Sequence, residues 1–328
     1  MIGIFKKKSP VNIVLLLLLG LLIKMPLFLF AKPVVATEAD GMLYRYLVSF
    51  FPKGAEAFIS AVLAFILLYL QALLLNFLVN EYRLTLKPNY LPGMAYLLIT
   101  SLQPEWNYFS APLLANTFIV LSFIQLLRIY NAPAAKEIIY NTGLLLGICS
   151  FIFLPSVLIA ICLLLGILIL RPFRLNELFL LLIGVATPFY FYGVYLFLTD
   201  QFSIYKLFPS IRFHLPVIKN TTWLYVNLGV LVLPFLIGGY YIQVHLGKLI
   251  IQVRKNWSIL LLYLLLSVLI PFVNSSSFFY NWILVTLPLA AFHAAAYLYL
   301  PRKWIALSLF FITVAIILSQ QYATTLWH

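Results

Sequence analysis

Charged residues are scarce in this sequence, and their scarcity excludes an ordinary soluble globular protein. Only 9% of the 328 residues are Asp, Glu, Lys or Arg, whereas a soluble domain carries about 25%. Hydrophobic residues make up 64% of the chain, and its mean hydropathy is +1.07. Because the polar stretches between the apolar segments are short, we expect one integral membrane domain over residues 1–328 without a soluble domain.

Other patterns are missing as well. The apolar runs do not alternate with polar residues as membrane β-strands do, which argues against a β-barrel. The two cysteines, Cys149 and Cys162, lie in separate apolar segments and are expected to be small packing residues rather than a disulfide or metal pair. The sequence contains no metal-ligand spacing, no phosphate-binding loop and no Ser-His-Asp order. The net charge of +13 does not indicate nucleic-acid binding, because the basic residues lie between hydrophobic segments.

The hydrophobic runs predict an all-α transmembrane bundle of about eleven spans, since about 20 apolar residues cross a bilayer as a helix. The predicted spans are 12–31, 58–79, 90–102, 112–127, 140–154, 156–170, 178–198, 222–243, 258–272, 281–299 and 304–320. Three of them, 90–102, 140–154 and 156–170, are short for a full crossing. Short segments at membrane depth require protein or a water-filled cavity around them, so we expect them to penetrate partway around a cavity.

The distribution of basic residues predicts a cytoplasmic N-terminus, because cytoplasmic loops are enriched in Lys and Arg. The predicted cytoplasmic segments hold the larger set, namely Lys6, Lys7, Lys8, Arg83, Lys87, Arg128, Lys136, Arg171, Arg174, Lys248, Arg254, Lys255, Arg302 and Lys303. The predicted outer segments hold Lys32, Arg45, Lys53, Lys206, Arg212 and Lys219. The acidic residues Glu38, Asp40, Glu56, Glu105 and Asp200 also fall on the outer side. Carboxylates therefore gather on the outer face.

An acidic motif in the first outer loop, 32–57, is the best candidate for a reactive site. Glu38 and Asp40 account for two of only 8 acidic residues in the chain. A carboxylate at the mouth of a helix bundle can act as a general base, and Tyr44 and Arg45 follow as candidate substrate-binding residues. The alternative is a solvated loop in which Asp40 and Gly41 cap a helix that follows. The sequence leaves both interpretations open.

Two further groups of outer residues could take part in chemistry. Lys206, Arg212, His214 and Lys219 could hold a phosphate, or they could attract anionic head groups without specificity. Glu105 lies in an outer turn with Trp106 and Tyr108, and it is either a partner of Asp40 or part of an aromatic belt at head-group level. Carboxylates on this face could hold Mg²⁺ or Mn²⁺. The sequence does not determine whether the protein uses a cofactor.

Lys24 and His293 are polar residues within predicted spans. A charge inside the membrane indicates function by default, but Lys24 precedes Pro26 closely and could extend to the surface instead. His293 is expected to be a hydrogen-bonded packing residue.

Several of these features resemble the membrane-embedded type C glycosyltransferases. The resemblance rests on the Asp-x-x-x-Tyr motif from Asp40 to Tyr44 after the first span, on the glycine-containing segment 140–147, and on the late segment 279–288. It implies a GT-C-like bundle that transfers a sugar from a polyprenyl-phosphate donor on the outer face. The sequence departs from the family at Asn281, where arginine is common. The whole chain also resembles an uncharacterised family of bacterial inner-membrane proteins of about this length.

The resemblance implies roles for single residues. Asp40 would deprotonate the acceptor, and Glu38 or Glu105 would assist it or hold a metal. Arg212, His214 and Lys219 would stabilise the departing lipid phosphate. The competing interpretation is a non-enzymatic membrane protein, either a transporter of a lipid or small anion or a scaffold of an envelope assembly. A transporter would place polar residues at the midplane of several spans.

Overall fold

The computed structural model of the chain describes residues 2–34, 40–52, 54–203, 222–273 and 279–326. In these ranges the chain is helical and contains no β-strand, which confirms the predicted all-α class. The α-helices are α1 (Ile2–Phe5), α2 (Val11–Ile23), α3 (Met25–Leu29), α4 (Met42–Ser49), α5 (Glu56–Glu81), α6 (Leu91–Leu102), α7 (Ala111–Arg128), α8 (Ala135–Ile152), α9 (Ile159–Leu170), α10 (Leu175–Leu198), α11 (Thr222–His245), α12 (Ile251–Leu269), α13 (Thr286–Tyr299) and α14 (Lys303–Leu326). Short 3₁₀ helices cover Pro104–Asn107, Leu154–Leu158, Leu246–Lys248, Ile270–Phe272 and Phe279–Val285.

Helix length and composition support a membrane protein that crosses the bilayer several times. Among the described residues, 8 helical segments are long and apolar enough to cross a membrane. They are Glu56–Glu81, Ala111–Arg128, Ala135–Ile152, Leu175–Leu198, Thr222–Lys248, Ile251–Phe272, Tyr280–Tyr299 and Lys303–Gln321. The segments Val11–Ile23, Leu91–Leu102 and Leu154–Leu170 are apolar but shorter. An all-α bundle with several membrane-length apolar helices is therefore confirmed, while a count of about eleven spans stays a prediction.

Contacts between distant segments show that the bundle has two distinct ends. At the end that holds α1, here called the proximal end, the Tyr90 amide donates to the Phe5 carbonyl at 2.8 Å. The Trp257 indole donates to the Leu84 carbonyl at the same end, at 3.0 Å. At the opposite or distal end, the Gly41 amide donates to the Ile152 carbonyl. The loops that the charge pattern assigns to one side thus share one end, and the cytoplasmic location of that end remains a prediction.

The short helix α6 lies at the centre of the bundle. Each of its residues, from Leu91 to Leu102, is buried. It packs against α5 and α13 and, less extensively, against α2 and α14. A helix of this length cannot cross the bilayer alone, but here other helices cover it, which satisfies the requirement expected for the segment 90–102.

Buried side-chain amides form hydrogen bonds with backbone groups at both ends of α6. At the start of α6, Asn76 accepts a hydrogen bond from the Gly93 amide at 2.7 Å. At its end, Asn227 donates to the Leu102 carbonyl at 3.0 Å, and Gln321 donates to the Ser101 carbonyl at 2.9 Å. The terminal backbone groups of a helix have no partner within the helix, and no water is available in a buried site to replace one. Polar residues on α5, α11 and α14 therefore make burial of α6 possible.

A second buried polar network joins α5, α6 and α7. The Gln71 amide donates to Thr117 Oγ1 at 2.7 Å and to the Leu113 carbonyl at 2.8 Å. The Tyr96 hydroxyl donates to Gln71 Oε1, and Asn116 donates to the same oxygen at 3.2 Å. These polar groups bond to one another, so the network holds helices together. His293 likewise contacts the Leu231 carbonyl at 2.8 Å, which confirms its predicted packing role.

Helices α8 and α10 approach each other closely through glycines. A Cβ atom added at Gly143 would lie 2.3 Å from the Leu181 carbonyl oxygen, and one at Gly147 would lie 2.6 Å from the Val185 carbonyl oxygen. Gly184 on α10 faces the Tyr140 carbonyl in the same way. Spacing of two glycines four residues apart lets helix backbones approach within a membrane. The segment 140–147 is thus a helix-packing surface.

Two predicted boundaries were wrong. The predicted span 12–31 is interrupted, because α2 ends at Ile23 and α3 begins at Met25. The predicted short span 140–154 is longer than expected, since α8 begins at Ala135 and has 18 residues. Lys136 and Glu137 lie in its first turn, where polar residues are normal for a helix terminus.

The close packing of α8 and α10 generates a stability prediction. Gly143→Ala should destabilise the protein by about 1–3 kcal/mol, the usual cost of inserting a methylene into a well-packed interior. The midpoint of thermal unfolding in detergent micelles is the measurement. Gly239→Ala in α11 is the matched control, because a Cβ atom there would contact nothing within 4 Å. Equal midpoints for the two variants would contradict the assigned helix contact.

Candidate functional site

A polar cleft opens at the distal end of the bundle and brings together distant parts of the sequence. Its volume is about 300 Å³. The residues that line it are Lys32, Pro33, Val34, Asp40, Tyr44, Glu105, Tyr108, Phe109, Ser110, Ala111 and Tyr280. Three predicted site residues, Asp40, Tyr44 and Glu105, therefore share one cleft although Asp40 and Glu105 lie 65 positions apart in the chain.

The location of Asp40 follows from the packing of Gly41. The Gly41 amide donates to the Ile152 carbonyl at 3.0 Å, so it satisfies one of the free carbonyls at the end of α8. A Cβ atom at Gly41 would lie 2.1 Å from the Phe151 carbonyl oxygen, which only glycine avoids. The contact of Gly41 positions the adjacent residue Asp40 at the cleft, and Asp40 is only 7% exposed. Burial contradicts the solvated-loop interpretation of Asp40.

A helix does follow the Asp40-Gly41 pair, and its N-cap residue is Gly41. The buried carboxylate of Asp40 forms part of the wall of the cleft. A carboxylate is costly to bury without compensating interactions, and buried acidic groups are accordingly uncommon outside functional sites.

Tyr44 is one turn of α4 beyond Asp40 and provides a neutral hydroxyl in the cleft. Its hydroxyl donates to the Phe109 carbonyl at 3.3 Å, and its ring stacks on Phe109 with centroids 5.5 Å apart. Burial raises the pKa of Tyr44 well above its ordinary value, and the nearby Asp40 and Tyr280 raise the same pKa further. Tyr44 therefore keeps its proton at any physiological pH and remains a hydrogen-bond donor.

Glu105 enters the cleft from the 3₁₀ turn Pro104–Asn107, and its side chain is exposed. Lys24, at the break between α2 and α3, anchors this turn. Its ammonium donates to Asn107 Oδ1 at 2.5 Å and to Thr100 Oγ1 at 3.0 Å. Lys24 is 1% exposed, so the alternative in which it extends to the surface is wrong.

Sequence reasoning missed several residues of the cleft. Lys32 contributes a cation, and its ammonium lies 5.1 Å above the centroid of the Tyr108 ring. Ser110 caps α7 by accepting a hydrogen bond from the Leu113 amide. The N-terminus of α7 therefore opens at the cleft, and its positive dipole end favours nearby carboxylates. The late segment that carries Tyr280 was noted only through the family resemblance.

The other predicted site residues do not line this cleft in the described part of the chain. Arg45 is exposed on another side of α4. The remaining candidates lie outside the described residues, and they are Glu38, Lys206, Arg212, His214 and Lys219. Asn281, which stands where the resembled family commonly has arginine, is buried at 3% exposure.

No group of three or more potential metal ligands occurs among the described residues. Asp40 and Glu105 could contribute at most two carboxylates from this part of the chain. Mg²⁺ typically binds through one or two protein carboxylates and completes its coordination with water and substrate phosphate. The cleft residues therefore fit a Mg²⁺ or Mn²⁺ ion only together with a phosphorylated ligand.

This arrangement can hold a polar ligand and accept a proton from it. The cleft offers two carboxylates, one ammonium and three tyrosines at the edge of an apolar bundle. No protein-family model, curated protein or solved structure matches the chain.

The packing of Gly41 generates a prediction about α4. In a variant that carries Ser49→Cys for spin labelling, Gly41→Ala should increase the mobility of the label, because the new methyl group forces α4 away from α8. Electron paramagnetic resonance measures this mobility. Both native cysteines are buried, so labelling at position 49 should be selective. Gly229→Ala is the control, since a Cβ atom there meets nothing within 4 Å. A label equally mobile in both backgrounds would refute the packing argument.

Proposed function

We propose that the protein is a membrane glycosyltransferase that transfers a sugar from a polyprenyl-phosphate donor to an acceptor hydroxyl at the distal face. The observation that supports this most directly is the buried carboxylate of Asp40 in a polar cleft shared with Glu105 and Lys32. The distal face would be the outer face of a bacterial inner membrane. Both the orientation and the reaction belong to this proposal.

The proposed reaction uses the cleft residues as follows. The acceptor hydroxyl oxygen attacks the anomeric carbon of the sugar, and its proton passes to the Asp40 carboxylate. The bond from the anomeric carbon to the phosphate oxygen breaks, and the lipid phosphate leaves with the bonding electron pair. Lys32 supplies positive charge in the cleft as negative charge develops on that phosphate. Tyr44 does not take the proton; its hydroxyl donates to the Phe109 carbonyl and its ring forms part of the cleft wall.

The contacts of the interior polar residues favour this proposal over a transporter. A transporter should place accessible polar groups near the membrane midplane. Gln71, Asn116 and Tyr96 bond to one another and to neighbouring helices, and Asn227 bonds to Leu102 and Gln320. Their hydrogen bonds are used for packing, whereas the distal cleft presents acidic and basic groups to its opening.

The role of Asp40 can be tested by changing it to asparagine, which keeps the shape but removes the base. In a gene-deletion strain that expresses the variant, Asp40→Asn should lower sugar transfer by about a hundredfold or more, the usual contribution of general base catalysis. Analysis of envelope glycans against the deletion strain measures transfer. Glu56→Gln is the matched control, because Glu56 begins α5 at the same end without lining the cleft.

Expression and thermal midpoint must be measured for both variants, so that a folding defect is recognised. A normal glycan in the Asp40→Asn strain, with the variant present at wild-type level, would overturn the proposal. So would a deletion strain whose glycans and glycolipids are unchanged.

Glu105 is expected to have a smaller effect than Asp40, because its side chain is exposed. Glu105→Gln should lower transfer by about tenfold to a hundredfold, as is typical of groups that support a reacting centre. Treating wild-type membranes with EDTA distinguishes its two candidate roles. Abolished transfer that Mg²⁺ or Mn²⁺ restores indicates that Glu105 holds a metal, whereas unchanged transfer indicates that it assists Asp40 directly. Wild-type transfer by Glu105→Gln would exclude both roles.

A further inference from the structure

An apolar groove lies on the opposite side of α4 from the polar cleft. It runs between α4, α8 and α10 and has a volume of about 520 Å³, within the range of about 300–1,000 Å³ that ligand sites occupy. The residues that line it are Met42, Leu43, Tyr46, Ile148, Phe151, Pro188, Phe191, Tyr192 and Tyr195. Five of these nine side chains are aromatic. The lining of the groove is therefore mainly apolar, in contrast to the polar cleft.

Three aromatic side chains of the groove are exposed. Tyr46, Phe191 and Tyr195 are 61%, 66% and 59% exposed, and α10 is long and apolar enough to cross a membrane. On the α8 side, the Phe151 ring packs on Phe189 and Tyr192, with ring centroids 4.6 Å and 5.5 Å apart. A long apolar molecule therefore has access to an aromatic surface.

Arg45 adds a positive charge at the rim of the groove. It is exposed, and it lies on α4 between Leu43 and Tyr46, two residues that line the groove. Guanidinium groups bind phosphate with paired hydrogen bonds. An apolar groove with an arginine at its rim matches the two parts of a lipid phosphate.

We infer that this groove holds the hydrocarbon chain of a single-chain lipid phosphate, with the phosphate at Arg45. This inference rests on the proposed function, because it identifies the occupant as the polyprenyl-phosphate donor. The groove and the polar cleft lie on two sides of the same eight-residue helix α4, and a helix with its side chains is about 10 Å across. A sugar attached to a phosphate at Arg45 can therefore extend across the start of α4 towards Asp40.

The contact between Gly41 and α8 explains how one helix serves both sites. Gly41 packs on the backbone of Phe151 and Ile152, and Phe151 also forms part of the groove. The contact that holds Gly41 next to Asp40 therefore also involves a residue of the groove wall.

The inference can be tested by lipid binding to the purified full-length protein in detergent. Native mass spectrometry measures retention of three probes, namely undecaprenyl phosphate, undecaprenol and phosphatidylglycerol. Leu43→Trp should fill the groove, and it should weaken undecaprenyl phosphate binding by about tenfold or more. Arg45→Ala should remove the charge and weaken the same binding by about tenfold or more, equivalent to the loss of one charge-assisted hydrogen bond. Undecaprenol should bind more weakly than the phosphate, and Arg45→Ala should not change its binding.

Two control variants match these changes. Phe179→Trp alters an exposed aromatic residue of α10 outside the groove, and Arg254→Ala removes an exposed arginine of α12. Both should bind undecaprenyl phosphate like the wild type. Equal retention by all variants would overturn the inference. Displacement of undecaprenyl phosphate by an equal concentration of phosphatidylglycerol would also overturn it, because the groove would then hold bulk lipid.

Asp40→Asn separates this inference from the proposed function, since it should abolish transfer but leave lipid binding intact. If lipid binding depends on Leu43 and Arg45 while no variant changes the glycans, the lipid site stands and the transferase proposal fails. If transfer depends on Asp40 while Leu43→Trp and Arg45→Ala bind the lipid normally, the lipid site fails alone.

Discussion

The burial of α6 is the constraint on which the rest of the bundle depends. A twelve-residue helix at the centre of a membrane protein cannot leave its terminal backbone groups to water. Asn76, Asn227 and Gln321 therefore have to reach them from three other helices. The end of α6 leads directly into the turn that carries Glu105. The hydrogen bonds at the end of α6 therefore also help to position this side of the distal cleft.

Opposite that wall, the cleft depends on a second close approach, between Gly41 and the end of α8. Its position is determined in turn by the glycine-mediated packing of α8 on α10. Lys24 also supports the first wall, because it joins the break in the first apolar segment to the Pro104–Asn107 turn. The acidic residues of the cleft thus stand on backbone elements fixed by buried contacts. This rigidity is what preorganised chemistry requires.

Hydrophobic runs predicted the helices well, because each apolar segment of the described chain must either face lipid or lie within the bundle. They could not distinguish α6, which is covered on all sides, from helices such as α10 that face lipid. The break at Lys24 was also hidden, because one lysine and one proline near the end of a long apolar run are equally compatible with a continuous helix. Those outcomes depend on which neighbours supply hydrogen bonds, and that is a property of the tertiary structure.

The candidate site was only partly predictable, for a similar reason. Rarity of carboxylates drew attention to Asp40 and Glu105, and both do line the cleft. Nothing in the local sequence indicated that Arg45, one residue after Tyr44, does not line the polar cleft. Adjacent residues of a helix point about 100° apart, so Tyr44 lines the polar cleft while Met42 and Tyr46, two residues away on either side, line the apolar groove. The short helix α4 therefore separates the two surfaces, and the proposed lipid site uses Arg45, its single charged residue.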